Sequence, residues 1–154
     1  MNGIKKAQEK DVAALDNIIN REFAYKNLSK EKIAERIKRP EITVFKKTVG
    51  REMAGFVEIE IFQEMAMINA LSVKEPYRRK GFGRELLMHA VEFLKESGVK
   101  TARLFVKKEN EKAKKLYTSC GFEFTEMHDH KIGGHVAEVW EKPLEAAEIS
   151  DYLN

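Results

Sequence analysis

The chain has 154 residues, 43% of them hydrophobic and 34% charged, with a net charge of +3. That length suits one core and a single domain over 1–154, and the supply of Ile, Leu, Val and Phe excludes a disordered chain. No apolar run approaches the ~20 residues of a membrane span, Met1 to Glu9 lacks the apolar segment of a secretion signal, and the lone Cys120 has no disulfide partner in the chain, so a cytoplasmic protein is expected.

A short strand near Ile4 to Ala7 comes first, then a helix opened by Asp11 with Leu15, Ile18, Ile19 and Phe23 on one face. Ser29 suits the cap of a second helix, which carries Ile33 and Ile37 and must stop near Pro40. Strands follow: Ile42 to Phe45, then Val57, Ile59 and Ile61 alternating with Phe56, Glu58 and Glu60 after a turn at Gly50-Arg51-Glu52, then roughly Met65 to Val73. Pro76 and Gly81 break the chain before an amphipathic helix marked by Phe82, Leu86, Leu87, Ala90, Val91 and Leu94, which ends at Gly98. Thr101 to Val106 reads as a buried strand, and Asn110 opens a helix with Ala113, Leu116, Tyr117 and Cys120 on one face, closed by Gly121. Two strands, Phe122 to His128 and Val136 to Glu141, join through Gly133-Gly134, and Leu144 to Leu153 forms a terminal helix. The order βααβββαβαββ predicts an α/β (α+β) fold with a mixed, mostly antiparallel central sheet of about seven strands flanked by helices.

The basic excess is diffuse except at Arg78, Arg79, Lys80 and Arg84, where Leu71-Ser72-Val73 leads through Arg78-Arg79-Lys80-Gly81-Phe82-Gly83 into a helix. A strand, a basic glycine loop and a helix N-terminus in succession suit an anion: glycines let N–H groups converge, the helix end adds partial positive charge, and the cations add more. The bland reading is that Gly81 and Gly83 only turn the chain. A dinucleotide fingerprint would want a glycine where Leu86 stands, and a P-loop would want Gly-Lys-Ser/Thr, which is absent.

The spacing Arg78-x-x-Gly81-x-Gly83, followed by Asn110-x-x-Ala113-x-x-Leu116-Tyr117-x-x-x-Gly121-Phe122, resembles the GNAT superfamily of acetyl-CoA-dependent N-acetyltransferases. The element order agrees with that family from about Ile4 to Pro143. The resemblance implies acetyl-CoA as cosubstrate and no metal. It implies that main-chain groups of Leu71, Ser72 and Val73 pair with the pantetheine arm along a strand that bulges and splays from Thr101 to Val106. It also implies that N–H groups from Arg79 through Lys80, Gly81, Phe82 and Gly83 to Arg84 hold the pyrophosphate, that Asn110 and Ala113 border the arm, and that Tyr117 faces the departing sulfur.

Acyl transfer to an amine needs a neutral nucleophile and a proton for the leaving sulfur, and Tyr117, protonated at neutral pH, suits the second task. Its other reading is packing beside Ala113 and Leu116. A general base is less plain, because Met67 stands where many relatives carry a glutamate. Glu58 or Glu60 on the preceding strand, or a water relay, are the candidates. Met67 also motivates an alternative in which the fold binds acetyl-CoA as a regulatory ligand without turnover.

Cys120 reads as packing, and His128-Asp129-His130 with His135 as surface rather than a metal site. No basic stripe or motif points to nucleic acid. The partner is an amine acceptor, a small molecule or a protein amine. Glu58, Glu60, Glu64, Glu126, Asp129 and Glu138 would favour a cationic one. A homodimer would form through an exposed sheet edge or the Leu144 to Leu153 tail.

Overall fold

The computed structural model describes residues 3–144, so the terminal helix expected at Leu144 to Leu153 lies, but for Leu144, outside the described residues. The elements are β1 (Ile4–Lys6), α1 (Val12–Glu22), α2 (Lys30–Ile37), β2 (Ile42–Val49), β3 (Glu52–Phe62), β4 (Met65–Val73), α3 (Phe82–Glu96), β5 (Thr101–Lys107), α4 (Glu111–Ser119), β6 (Glu123–Met127) and β7 (Ala137–Pro143). They follow the expected order. The strands form one seven-stranded sheet ordered β1-β2-β3-β4-β5-β7-β6, in which β4 and β5 run parallel and the other neighbours antiparallel. Among the described residues no helix is long and apolar enough to cross a membrane.

Strand β2 runs beyond the expected Phe45 because its lysines find partners. Lys46 meets Asp11 at 2.8 Å and Lys47 meets Glu85 at 3.2 Å, so two charges that read as loop are held within the sheet. β3 departs from the one-sided alternation of its sequence: it is buried on both faces from Met53 to Ile59. Val57 and Ile59 join Leu86, Leu87, Ala90 and Leu94 of α3 in one cluster. Met53 and Phe56 join Leu15, Ile18 and Ile19 of α1 and Ile33 of α2 in the other. Glu58 shares the parity of Phe56 and is therefore carried under α2 rather than into solvent.

β4 contains the irregularity that shapes the site. Glu58 pairs with Ala70 and Ile59 with Ile68, which leaves Asn69 as an extra residue, a β-bulge. An extra residue inverts the alternation downstream. Ala66 and Ile68 belong to the α3 cluster, whereas Ala70, of the same parity, packs with the α1 and α2 cluster, and Leu71 and Val73 return to the α3 side. Beyond the bulge β4 also leaves β5, since their parallel pairing spans only Met65 to Ile68 against Thr101 to Leu104.

Candidate active site

The parting of β4 and β5 opens a cleft of about 760 Å³. Its walls are the freed edge of β4 from Asn69 to Val73, Leu104 to Lys107 of β5, the start of α3 and the inner side of α4. The segment between α1 and α2 reaches it with Phe23, Tyr25 and Lys26, and the β6–β7 connection with Ile132. Tyr25 bridges the last two: a side chain at Gly133 would meet the Tyr25 ring at 3.1–3.3 Å.

One end of the cleft is the N-terminus of α3. Arg79 at φ 66° and Gly81 at φ 82° take left-handed backbone, and the first main-chain bond of the helix runs from the Glu85 N–H to the Gly81 carbonyl. The N–H groups ahead of Glu85 therefore lack helical partners. Among the described residues no side chain caps them. In contrast, Ser29 accepts from the Lys32 N–H at the start of α2, and Asn110 accepts from the Ala113 N–H at the start of α4. Gly83 has neither a positive φ nor a crowded neighbour, because a Cβ there would meet Leu116 at an ordinary 3.7 Å. Nothing in the fold demands glycine at this position, whereas close approach of a ligand to the main chain would.

The basic side chains of the loop are deployed unevenly. The Arg78 guanidinium donates to the Val73 carbonyl at 2.7 Å and to Glu22 at 2.7 Å, tying the loop to the strand and to the end of α1. Arg84 donates to the Ser119 hydroxyl at 2.6 Å and the Ser119 carbonyl at 3.2 Å, fastening α3 to the last turn of α4. Arg79 lines the cleft, and Lys80 is exposed outside its lining. The main-chain N–H groups thus remain the convergent feature of this end, with Arg79 a neighbouring cation in the lining.

α4 presents Asn110, Ala113, Leu116 and Tyr117 to the cleft, and the last three also pack against the α3 cluster. Half-buried Tyr117 lies 6.2 Å from Phe122, ring centre to ring centre. Burial, and secondarily the Cys120 thiol, pushes the Tyr117 hydroxyl up to about 12. It therefore keeps its proton far above neutral pH. Cys120 is buried in the α3 cluster and does not line the cleft.

The carboxylates read from the sequence lie elsewhere. Glu58 accepts from Arg36 at 2.6 Å and from the Asn69 side chain at 2.7 Å, and Glu60 accepts from Asn69 at 2.9 Å. Neither lines the cleft. The same holds for Glu64, paired with Lys100, for Glu138, held by Lys114 and Trp140, and for Glu126 and Asp129. Among the described residues these carboxylates therefore assemble no acidic acceptor surface: Glu22 is the acidic residue in the cleft lining, and Arg78 occupies it. His128 stacks edge-on against Phe105 at 4.4 Å, and its Nδ1 lies 2.8 Å from the His130 carbonyl. Among the described residues no group of three His, Cys, Asp or Glu side chains is placed to share a metal ion.

Sequence reasoning missed Asn69 and Lys26. The Asn69 side chain is clamped by two carboxylates of β3 while its carbonyl accepts from Lys26 Nζ at 3.2 Å. A break in the β4 alternation at Asn69 was the available signal for the first; for Lys26 there was none.

A bulged strand parted from its parallel neighbour, with an uncapped helix N-terminus at the end of the gap, leaves a long cleft whose shape and main-chain donors suit an extended ligand with an anionic end. The acetyltransferase (GNAT) family model matches residues 12–122, and the chain belongs to that family. It is 31% identical over 122 residues to the [ribosomal protein bS18]-alanine N-acetyltransferase of Escherichia coli K12, covering 79% of this chain and 81% of that protein. The spermidine N(1)-acetyltransferase of Thermoplasma acidophilum is 30% identical over 98 residues, 61% of each chain. The crystal structure of the Escherichia coli ribosomal-protein-S18-alanine enzyme superposes with a TM-score of 0.83 at 27% identity, covering 97% of both chains. The protein is an N-acetyltransferase of the GNAT type.

Proposed function

We propose that the protein transfers the acetyl group of acetyl-CoA to a polypeptide N-terminal amine by direct attack, with Tyr117 as general acid. The observation that carries this reading is the uncapped N-terminus of α3 at the open end of the β4–β5 gap. N–H groups from Gly81 to Arg84 suit the pyrophosphate, and Arg79 adds a cation beside them. The freed edge of β4 from Asn69 to Val73 suits the amide-bearing arm, which adds to it as a strand would. Bound there, acetyl-CoA supplies the activated acetyl group.

The residues around it divide the remaining work. Tyr117, held neutral by burial, donates a proton to the departing sulfur. Glu58 and Glu60 are engaged by Arg36 and Asn69, and Glu22 by Arg78, so water carries away the proton of the amine. Beyond the Arg79 charge assigned to the pyrophosphate, Lys26, Lys107 and Lys112 add positive charge to the lining. That balance disfavours a polycation such as spermidine and favours an acceptor with a single amine, of the kind named for the alanine-modifying relative.

The test is thiol release from acetyl-CoA with a peptide bearing N-terminal alanine and, separately, with spermidine. Faster release with the peptide is expected. A preference for spermidine would overturn the acceptor assignment, and failure to bind CoA by calorimetry would overturn the whole reading.

A further inference from the structure

Lys26 holds an unusual place for a lysine with no part in the transfer step proposed above. It ends the single 3-10 turn Ala24–Lys26 between α1 and α2, just before Asn27, whose φ of 47° turns the chain. Its ammonium reaches across to the Asn69 carbonyl and lies 5.1 Å from the centre of the Phe23 ring. Asn69 is the bulge, one residue past the last β4–β5 pair at Ile68 and Leu104, so Lys26 Nζ sits at the closed apex of the gap.

The polarity of the cleft then decides what Lys26 would meet. The anion-binding end is fixed at the start of α3, beside Val73. An arm laid along β4 from Val73 toward Asn69, over a rise of roughly 3.3 Å per residue, ends at the apex. On the reading of the cleft given above, that is where the acetyl group arrives. We infer that Lys26 is a self-acetylation site: its amine takes the acetyl group from acetyl-CoA bound in the same chain.

The step balances. Lys26 Nζ, after losing one proton to water, forms a C–N bond to the acetyl carbon while the C–S bond breaks. The electron pair leaves with sulfur, which Tyr117 protonates, and a second proton leaves the new amide nitrogen and passes through water to the Tyr117 phenolate, restoring it. No oxidant or further reactant is needed. Burial lowers the Lys26 pKa, with Glu58 opposing and Arg36 reinforcing that shift, so the neutral amine is more available than on a surface lysine. The product is uncharged. Its N–H can still donate to the Asn69 carbonyl, and its acetyl group would occupy the apex against incoming acceptors.

Two measurements on the full chain test this. In the first, Lys26 is labelled with a small amine-reactive ester with and without saturating CoA, which carries no acetyl group; CoA should slow labelling of Lys26 at least fivefold and leave surface lysines such as Lys95 unchanged. In the second, the protein is incubated with acetyl-CoA and mapped by peptide mass. One acetyl group should appear on Lys26, at a rate independent of protein concentration, faster than on other lysines, and slowed in Tyr117→Phe. Lys26→Arg should lose that adduct while retaining CoA binding. Equal labelling of Lys26 with and without bound CoA, or no acetylation of Lys26 in a protein that binds CoA normally, would overturn the inference and leave the proposed function standing. Acetylation of Lys26 at the pace of surface lysines and unchanged by Tyr117→Phe would also overturn it. Absence of CoA binding would remove both.

Discussion

The two walls of the cleft are built on different physical terms. The α3 and α4 side takes its main-chain binding groups from local features, namely left-handed backbone at Arg79 and Gly81, an uncapped helix start and a side-chain cap at Asn110, while Arg84 reaches Ser119 to tie the two helices together. The α1–α2 side depends on partners far apart in sequence. Arg36 meets Glu58 across 22 positions, Lys26 meets Asn69 across 43, and Arg78 meets Glu22 across 56. The first side presents main-chain groups that no acceptor need alter, whereas the second presents side chains whose pairing sets what the cleft admits. Damage to the first should therefore abolish cosubstrate binding, and damage to the second should change stability or acceptor use while CoA still binds.

The largest effect is expected at Gly83. Alanine fits beside Leu116, but the branched side chain of Gly83→Val would stand between the α3 N-terminus and an approaching phosphate. Hydrogen bonds to a charged group are worth about 1.5–3 kcal/mol each, so losing one or two lowers CoA affinity by roughly 10²-fold. Calorimetry of Gly83→Ala and Gly83→Val side by side separates this from simple destabilisation. Unchanged affinity in the valine variant would break the contrast at its strongest point.

Tyr117→Phe comes next, because it removes one hydroxyl and leaves the ring packed near Phe122. The rate should fall by up to roughly 10²-fold with CoA affinity nearly constant. Thiols are fair leaving groups, so the effect has that as its ceiling. The pH profile sharpens the point. The hydroxyl is raised from 10 to about 12, so the proton is held more tightly in the folded state than in the unfolded one. Its contribution to stability is present below pH 10 and is lost as pH rises through about 12. The wild type should thus show no alkaline loss of activity from Tyr117 up to pH 9. A fall in rate below that pH that disappears in Tyr117→Phe would mean that the hydroxyl ionises lower than its burial implies, whereas full activity in Tyr117→Phe across roughly pH 6 to 9 with intact CoA binding would return the residue to a packing role.

Arg36→Met probes the other wall. Glu58 is 8% exposed, and without the guanidinium the Asn69 amide is its remaining side-chain hydrogen-bond donor among the described residues. A carboxylate so stranded costs about 2 kcal/mol. Thermal unfolding should show this loss, Arg36→Met with Glu58→Gln should recover part of it, and CoA affinity should stay within about twofold. A large loss of CoA affinity would mean that the two walls are coupled through the Asn69 bulge.

The same division explains what was legible in the sequence. The element order, the loop from Arg78 to Gly83 and the cap at Asn110 rest on periodicity and on residues with strong local preferences, so they could be read in place. Glu58 and Glu60 read as candidate bases because they alternate on the strand beside the acceptor side, and only the covering by α2 and the bulge shows that Arg36 and Asn69 engage them instead. The loop arginines looked equivalent, yet Arg78 and Arg84 turn to Glu22 and Ser119, partners that no local pattern announces. Lys26 lies in a polar connection and acquires meaning only from the bulge it reaches.

The smallest expected effect gives the cleanest separation of the walls. Ser29 and Asn110 do the same local job, each accepting one N–H at the start of a short helix, at 3.2 Å and 3.1 Å respectively. Replacing either by alanine should therefore cost about 1 kcal/mol of stability, a loss that chemical denaturation can compare directly. Their surroundings differ. Asn110 lines the cleft and Ser29 does not, so only Asn110→Ala removes an amide that could face the cosubstrate arm. CoA affinity should fall by roughly fivefold in Asn110→Ala and stay unchanged in Ser29→Ala. Asn110→Asp refines the test, because a carboxylate still caps the helix but cannot donate. Stability should then return while affinity does not. If affinity recovers along with stability, Asn110 acts on the cofactor side only by holding α4 in shape, and the cosubstrate arm draws nothing from its side chain.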